Sequence, residues 1–123
     1  MNKAARVPDY LEHIRDAIER IFDYVEDLDE AAFARSELVQ DAVIRNLEVI
    51  GEASRNIEHA DPDFVAQHPE MGFANARAMR NALSHGYYKI DLKMVWDTLE
   101  NDLRNLHAQV VAALGKSAPE APS

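Results

Sequence analysis

The sequence predicts an all-α protein: an up-and-down bundle of four main helices with one short extra helix. Three observations carry this. Apolar residues recur at spacings of three and four along four separate blocks, as they do in helices that bury one stripe. No stretch alternates apolar and polar residues at period two. Prolines stand only at 8, 62, 69, 119 and 122, leaving two long proline-free blocks.

Each element follows from local signals. Pro8 suits the first turn of a helix, and Leu11, Ile14, Ile18, Ile21, Val25 and Leu28 then form its buried seam. The segment "DLDEAAFARS" reads as a connection with at most a short helical turn, and Ser36 as the N-cap of the next helix. That second helix spans about Glu37 to Ile57, with Val39, Val43, Leu47, Ile50, Ala53 and Ile57 inward. Gly51 interrupts it at a cost of up to ~1 kcal/mol against alanine, which predicts a close backbone approach there. Asn46 falls within the apolar seam. It is either a surface residue at the stripe edge or a buried polar group reaching a site. Asp61 and Pro62 open the short extra helix, and "HPEMG" ends it. The third main helix carries Phe73, Ala76, Met79 and Leu83, with Gly86 placed to close it in a left-handed turn. Asp91 caps the last helix, whose seam runs from Leu92 through Val95, Trp96, Leu99, Leu103, Leu106 and Val110 to Leu114, ending at Gly115. Residues 1–115 thus read as one domain and 116–123, "KSAPEAPS", as a loose tail.

Composition narrows the function. Of 123 residues 47% are apolar, enough for a single core without staples. There is no cysteine, so disulfide scaffolds, thiolate zinc sites and thiol catalysis are excluded. The N-terminus has no apolar leader region and no run approaches a membrane span. These features predict a cytoplasmic protein. The net charge of −9 argues against nonspecific nucleic-acid binding. It is uneven, however: residues 77–93 carry +3, leaving −12 for the rest.

That basic window contains "RNALSHGY", residues 80–87. Arg80 and Ser84 share one helix face, Asn81 and His85 the adjacent one. Arg80 and His85 are separated by roughly 140° on an ideal helix, so they converge only if the helix loosens at Gly86 or a second chain contributes. Arginine offers a planar fork of donors to phosphate. Histidine takes and gives protons near neutral pH. Together they suit cleavage of a phosphodiester without metal, the arginine stabilising charge at phosphorus. One histidine cannot easily be acid and base at once, and two motifs facing each other in a homodimer would supply both. On spacing alone a plain structural account is favoured, because R-x4-H is a short pattern: a surface ion pair for Arg80, a helix-end cap from Asn81 and His85, and packing for Tyr87. His13, His59, His68 and His107 show no metal-ligand spacing, and Glu48 and Glu52 read as a solvated face. No metal or cofactor site is expected.

The motif and its surroundings resemble the HepT-like toxins of the HEPN superfamily, whose pattern is R-x4-H-x-Y with asparagine usually following the arginine. Here it stands as Arg80, Asn81, His85 and Tyr87. "QDAVIRNLEVIGEASRNI" resembles the family's second helix and "MRNALSHGYYKIDLKMVW" its active-site region. The resemblance covers nearly all but the tail, with one departure: Gly72-Phe73 stands where the family often has proline-tryptophan. It implies a dimeric, metal-independent endoribonuclease with Arg80 and His85 catalytic and Asn81 supporting. It also implies neutralisation by an MntA-like nucleotidyltransferase antitoxin, which attaches AMP at the position of Tyr87; Tyr88 is adjacent. The alternative is a non-catalytic binding subunit that partners a nucleotidyltransferase.

Overall fold

The first helix shows how the bundle is built. In the computed structural model, which describes residues 3–85 and 90–117, α1 spans Val7–Val25 with Pro8 in its first turn. Val7, Leu11, Ile14, Ile18 and Ile21 are all buried on one stripe. Burying a side chain of this kind contributes about 1.5–3 kcal/mol before conformational entropy is deducted. An exposed ion pair contributes about 0–1 kcal/mol. The apolar seams, not the many surface charges, therefore hold the bundle. The helix stops at Val25, and Leu28 lies in the following turn, its N–H bonded to the Val25 carbonyl at 2.9 Å. Leu28 thus leaves the seam assigned to it.

The segment after α1 is more ordered than a connection. It forms α2, Glu30–Arg35, capped by the Asp29 carboxylate at 2.8 Å from the Ala32 N–H. Its Phe33 is fully buried and lies 5.4 Å, centroid to centroid, from Trp96. α3, Glu37–Ala60, is the longest element and begins at the expected cap, Ser36 Oγ accepting from Val39 N–H at 3.3 Å. α4, Pro62–Gln67, is capped by Asp61. A 3₁₀ turn at Pro69–Met71 leads to α5, Phe73–His85. α6, Leu92–Asp97, starts at the Asp91 cap, and α7 is Leu103–Ser117. The fold is the predicted all-α, up-and-down bundle with α1, α3, α5 and the joined α6–α7 as main helices. Among the described residues it carries two short extra helices, α2 and α4, rather than one.

The last helix departs from a regular rhythm. Thr98–Asp102 forms a π turn joining α6 to α7, with Leu103 N–H reaching back to the Thr98 carbonyl. The Thr98 hydroxyl donates to the Met94 carbonyl at 2.9 Å. Such back-bonding competes with the helical ladder and bends it. α7 also runs through Ser117, two residues beyond Gly115. A Cβ at Gly115 would meet nothing within 4 Å, so this glycine neither packs nor terminates the helix.

α3 is the spine, packed between α1 and α5, while α7 lies on α1. Asn46 is buried and holds α1 to α3: its Oδ1 accepts from Arg20 Nε at 2.8 Å, and its Nδ2 donates to the Ala42 carbonyl at 2.8 Å. It is therefore a satisfied buried polar group that joins two helices. Gly51 is buried where α5 crosses. A Cβ there would collide with Arg80 Cβ and sit 2.8 Å from the Ala76 carbonyl oxygen.

Gly51→Ala should therefore lose stability despite alanine's better helix propensity. Overpacking of about 1–3 kcal/mol outweighs a propensity gain of up to ~1 kcal/mol. Thermal unfolding monitored by circular dichroism is expected to show a lower Tm; a Tm at or above wild type would refute the close contact.

Candidate active site

The helix that bears the motif is set by its first turn. Gly72 closes the 3₁₀ turn at φ 63°, a left-handed conformation that strains other residues. Its carbonyl then accepts from Ala76 N–H at 3.1 Å, starting α5. Phe73 is buried and lies 6.2 Å from Phe64, so an aromatic anchors the helix start. Leu83 is buried on the same helix, with Ala76 and Met79 packed against the core.

The glycine at position 51 lets the aliphatic stem of Arg80 lie directly on the α3 backbone. The guanidinium is thereby brought to two partners. Its Nη2 lies 3.4 Å from Glu52 Oε2, and its Nη1 donates to Asn81 Oδ1 at 3.1 Å. One turn on, Ser84 Oγ donates to Glu48 Oε2 at 2.8 Å. An i, i+4 pair on α5 thus meets an i, i+4 pair on the antiparallel α3. The Arg80–Glu52 pair is partly exposed and contributes little to stability. Its consequence is positional: the guanidinium is oriented while, among the described residues, several of its five N–H donors meet no acceptor.

Arg80 faces a cleft of about 240 Å³ that is also lined by His13, Arg45, Glu48, Glu52 and Asn56. None of these five had an assigned functional role in the sequence. Glu48 and Glu52 are not a free solvated face but the partners of Ser84 and Arg80. The readable signal was the matched four-residue spacing on two helices destined to run antiparallel.

The basic window is also corrected by the fold. Arg77 Nε lies 2.9 Å from Glu58 Oε1, and Lys93 Nζ 3.5 Å from Asp97 Oδ2. With Arg80 against Glu52, three of its four cations are paired, and the fourth, Lys89, lies outside the described residues. Among the described residues, the cations of this window therefore each stand against a carboxylate. The structure brings Arg80 and Asn81 together. His85 is the last residue of α5, but its side chain lies outside the described residues, as do Gly86, Tyr87 and Tyr88. The left-handed turn expected at Gly86 and the placement of the Tyr87 phenol fall in that segment.

A second cleft of about 250 Å³ opens between α5 and α7 above α3. Its floor is apolar, with Leu47, Ile50, Met79 and Leu106, and its rim carries Asn75 and Asn101. Its lining also holds the carboxylates Glu70 and Asp102, but no histidine or cation. Among the described residues no group of three or more His, Asp or Glu side chains converges as a metal site. Nor, among them, is any helix long and apolar enough to cross a membrane.

Comparison with known proteins places the chain in a family. The profile of the family described as "Ribonuclease HepT-like" matches residues 14–113. A protein of Thermococcus cleftensis named "Probable ribonuclease HepT" is 40% identical over 98 residues, covering 80% of this chain and 86% of its own length. A protein of Methanocaldococcus jannaschii, named as a candidate RNase, is 34% identical over 102 residues, covering 83% of this chain and 87% of its own. Another candidate RNase, from Caldanaerobacter subterraneus, is 29% identical over 107 residues, covering 87% and 93%. No solved structure matches the chain significantly. With a family profile spanning residues 14–113 and a relative 40% identical over 80% of its length, this chain belongs to the HepT-like ribonuclease family.

Proposed function

We propose that the chain is a cytoplasmic endoribonuclease toxin that cleaves RNA at the Arg80 cleft. The observation that carries this reading is the placement of Arg80: its stem is pinned on Gly51 and its head is oriented by Glu52 and Asn81 towards a solvent-open cleft. A guanidinium held this way offers paired donors to a phosphodiester, and charge that develops at phosphorus is stabilised without reorganisation. His85, five residues on, supplies proton transfer to or from the ribose 2′-hydroxyl or the leaving oxygen. The step forms the 2′-oxygen–phosphorus bond and breaks the phosphorus–5′-oxygen bond, giving a 2′,3′-cyclic phosphate and a 5′-hydroxyl.

The competing reading is a non-catalytic binding subunit. The net charge of −9 and the pairing of Arg77, Arg80 and Lys93 with carboxylates favour it. Activity separates the two. Arg80→Ala and His85→Ala are each expected to lower RNA cleavage at least ~100-fold with helical content unchanged, and wild-type cleavage is expected to persist in EDTA. Full cleavage by either variant would sink the catalytic reading. Loss in EDTA, restored by a divalent ion, would sink the metal-free step.

We also propose that the active form is a homodimer. Support comes from the wide angle between Arg80 and His85 on one helix, which a second copy of the motif relieves by supplying its own histidine to a shared cleft. Sedimentation at micromolar concentration is expected to give a dimer; a monomer that cleaves RNA at the full rate would contradict it.

Restraint is proposed to come from an MntA-like nucleotidyltransferase that transfers AMP to Tyr87. The position rests on the R-x4-H-x-Y pattern. The added phosphate would compete for Arg80 through the same charge-assisted hydrogen bonds that RNA needs. Co-expression with such an enzyme is expected to add one AMP mass to the peptide containing "SHGYYK", and Tyr87→Phe to abolish the addition. Modification that persists in this variant would assign Tyr88 instead.

A further inference from the structure

Two carboxylates line the Arg80 cleft, Glu48 and Glu52, one turn apart on α3. Their surroundings differ. Both oxygens of Glu52 face guanidinium groups: Oε2 lies 3.4 Å from Arg80 Nη2, and Oε1 lies 3.6 Å from Arg55 Nη1. Glu48 forms no ion pair among the described residues. Its Oε2 accepts from Ser84 Oγ at 2.8 Å, and its Oε1 has no hydrogen-bond partner among them.

An open carboxylate is ordinary on a chain this acidic. Glu48 is set apart by the conjunction of three features. It is half-buried, it lines the cleft that Arg80 faces, and its direction is held by the motif helix itself. Ser84 stands one turn beyond Arg80 on α5, and Glu48 one turn before Glu52 on the antiparallel α3. The Ser84–Glu48 and Arg80–Glu52 contacts are therefore about one helical turn apart, roughly 5.4 Å. A phosphate on the guanidinium then brings the neighbouring ribose to Glu48. Glu52 shares this setting but, facing a guanidinium at each oxygen, serves to aim Arg80.

We propose that Glu48 is the general base of this ribonuclease, its Oε1 taking the proton of the ribose 2′-hydroxyl beside a phosphate held by Arg80. The inference rests on the cleavage reading given above and deepens it by naming the base. In the balanced step the 2′-hydroxyl gives its proton to Glu48. The 2′-oxygen–phosphorus bond forms as the phosphorus–5′-oxygen bond breaks, and the departing oxygen is protonated by the motif histidine. That is the role left to the histidine once a carboxylate is the base. The proton returns from Glu48 to the histidine through solvent water, and no further reagent enters. Each cleft then needs one histidine, whichever copy of the chain brings it, so the assignment fits the shared cleft of the proposed dimer. It makes no demand on where the His85 side chain of this copy lies.

The charge of the cleft permits this. Arg45 and Arg80 offset Glu48 and Glu52, so a carboxylate beside the phosphate does not leave the cleft net negative.

The test uses the full chain with two substrates, an RNA oligonucleotide and uridine 3′-(4-nitrophenyl phosphate). Glutamine is the discriminating substitution, since its amide oxygen still accepts from Ser84 but takes no proton at neutral pH. Glu48→Gln is expected to lower kcat on RNA about 100-fold, with KM little changed and Tm at the wild-type value. It is expected to lower kcat on the aryl ester as far, because the 2′-hydroxyl must lose its proton in both reactions although the aryl leaving group needs none. Glu48→Ala is expected to regain part of its activity in sodium formate, a small carboxylate, and none in sodium chloride at the same ionic strength. A carboxylate that only held the helices together would not show this rescue. Wild-type cleavage by Glu48→Gln would overturn the assignment. So would a loss confined to RNA, which would move Glu48 to the side of the leaving group. Arg80→Ala run alongside separates the failures. If it is inactive while Glu48→Gln is unaffected, only the role of Glu48 falls. If it too cleaves RNA fully, the cleavage reading itself fails.

Discussion

The contact between Gly51 and Arg80 is the constraint from which the rest of the site follows. Two helices cannot approach this closely with side chains at both positions. Glycine on α3 removes one, and the arginine stem on α5 fills the space. The arrangement costs up to ~1 kcal/mol of helix propensity. In return the guanidinium is held by its own aliphatic stem rather than by its charge. The ion pair to Glu52 and the hydrogen bond to Asn81 then only choose its direction. A partly exposed pair that is weak as a stabiliser is adequate as an aiming device, because the packing beneath it has already removed most of the alternatives.

The same geometry reconciles an acidic chain with an RNA substrate. Association with nucleic acid is driven by phosphate contacts from free cations. Here the cations that cluster in the sequence are mostly answered by carboxylates of α3 and of their own helix. A surface of this kind does not hold RNA unspecifically. If RNA is cleaved at the Arg80 cleft, as proposed, binding energy would be concentrated in the few groups left open there, Arg45 and donors of Arg80 among them. Such an enzyme would select for a phosphate that reaches the cleft, not for nucleic acid at large.

Much of the fold was legible because it rests on local rules. The seam residues Leu11, Ile14, Ile18 and Ile21 are buried as their spacing requires, and Ser36, Asp61 and Asp91 cap the helices they precede. What escaped depends on where one helix lies against another. Asn46 was ambiguous because its partner, Arg20, is 26 residues away. Phe33 anchors α2 only because Trp96 arrives beside it. The π turn at Thr98–Asp102 sits inside an unbroken apolar rhythm and gives no sign in spacing. In the site, Arg80 and Asn81 were legible as a motif. Glu48, Glu52 and His13 were not, since only the register of α1, α3 and α5 makes them neighbours.

The central claim is that a directed guanidinium, not merely a positive charge at position 80, drives cleavage. Arg80→Lys isolates it, since lysine keeps the charge and an aliphatic stem for Gly51 but lacks the planar fork that reaches Glu52 and Asn81 together. The decisive measurement is single-turnover cleavage of an RNA oligonucleotide by this variant, with Tm recorded on the same sample. The account predicts a wild-type Tm with cleavage reduced nearly as far as in Arg80→Ala. Cleavage by Arg80→Lys at the wild-type rate would contradict it.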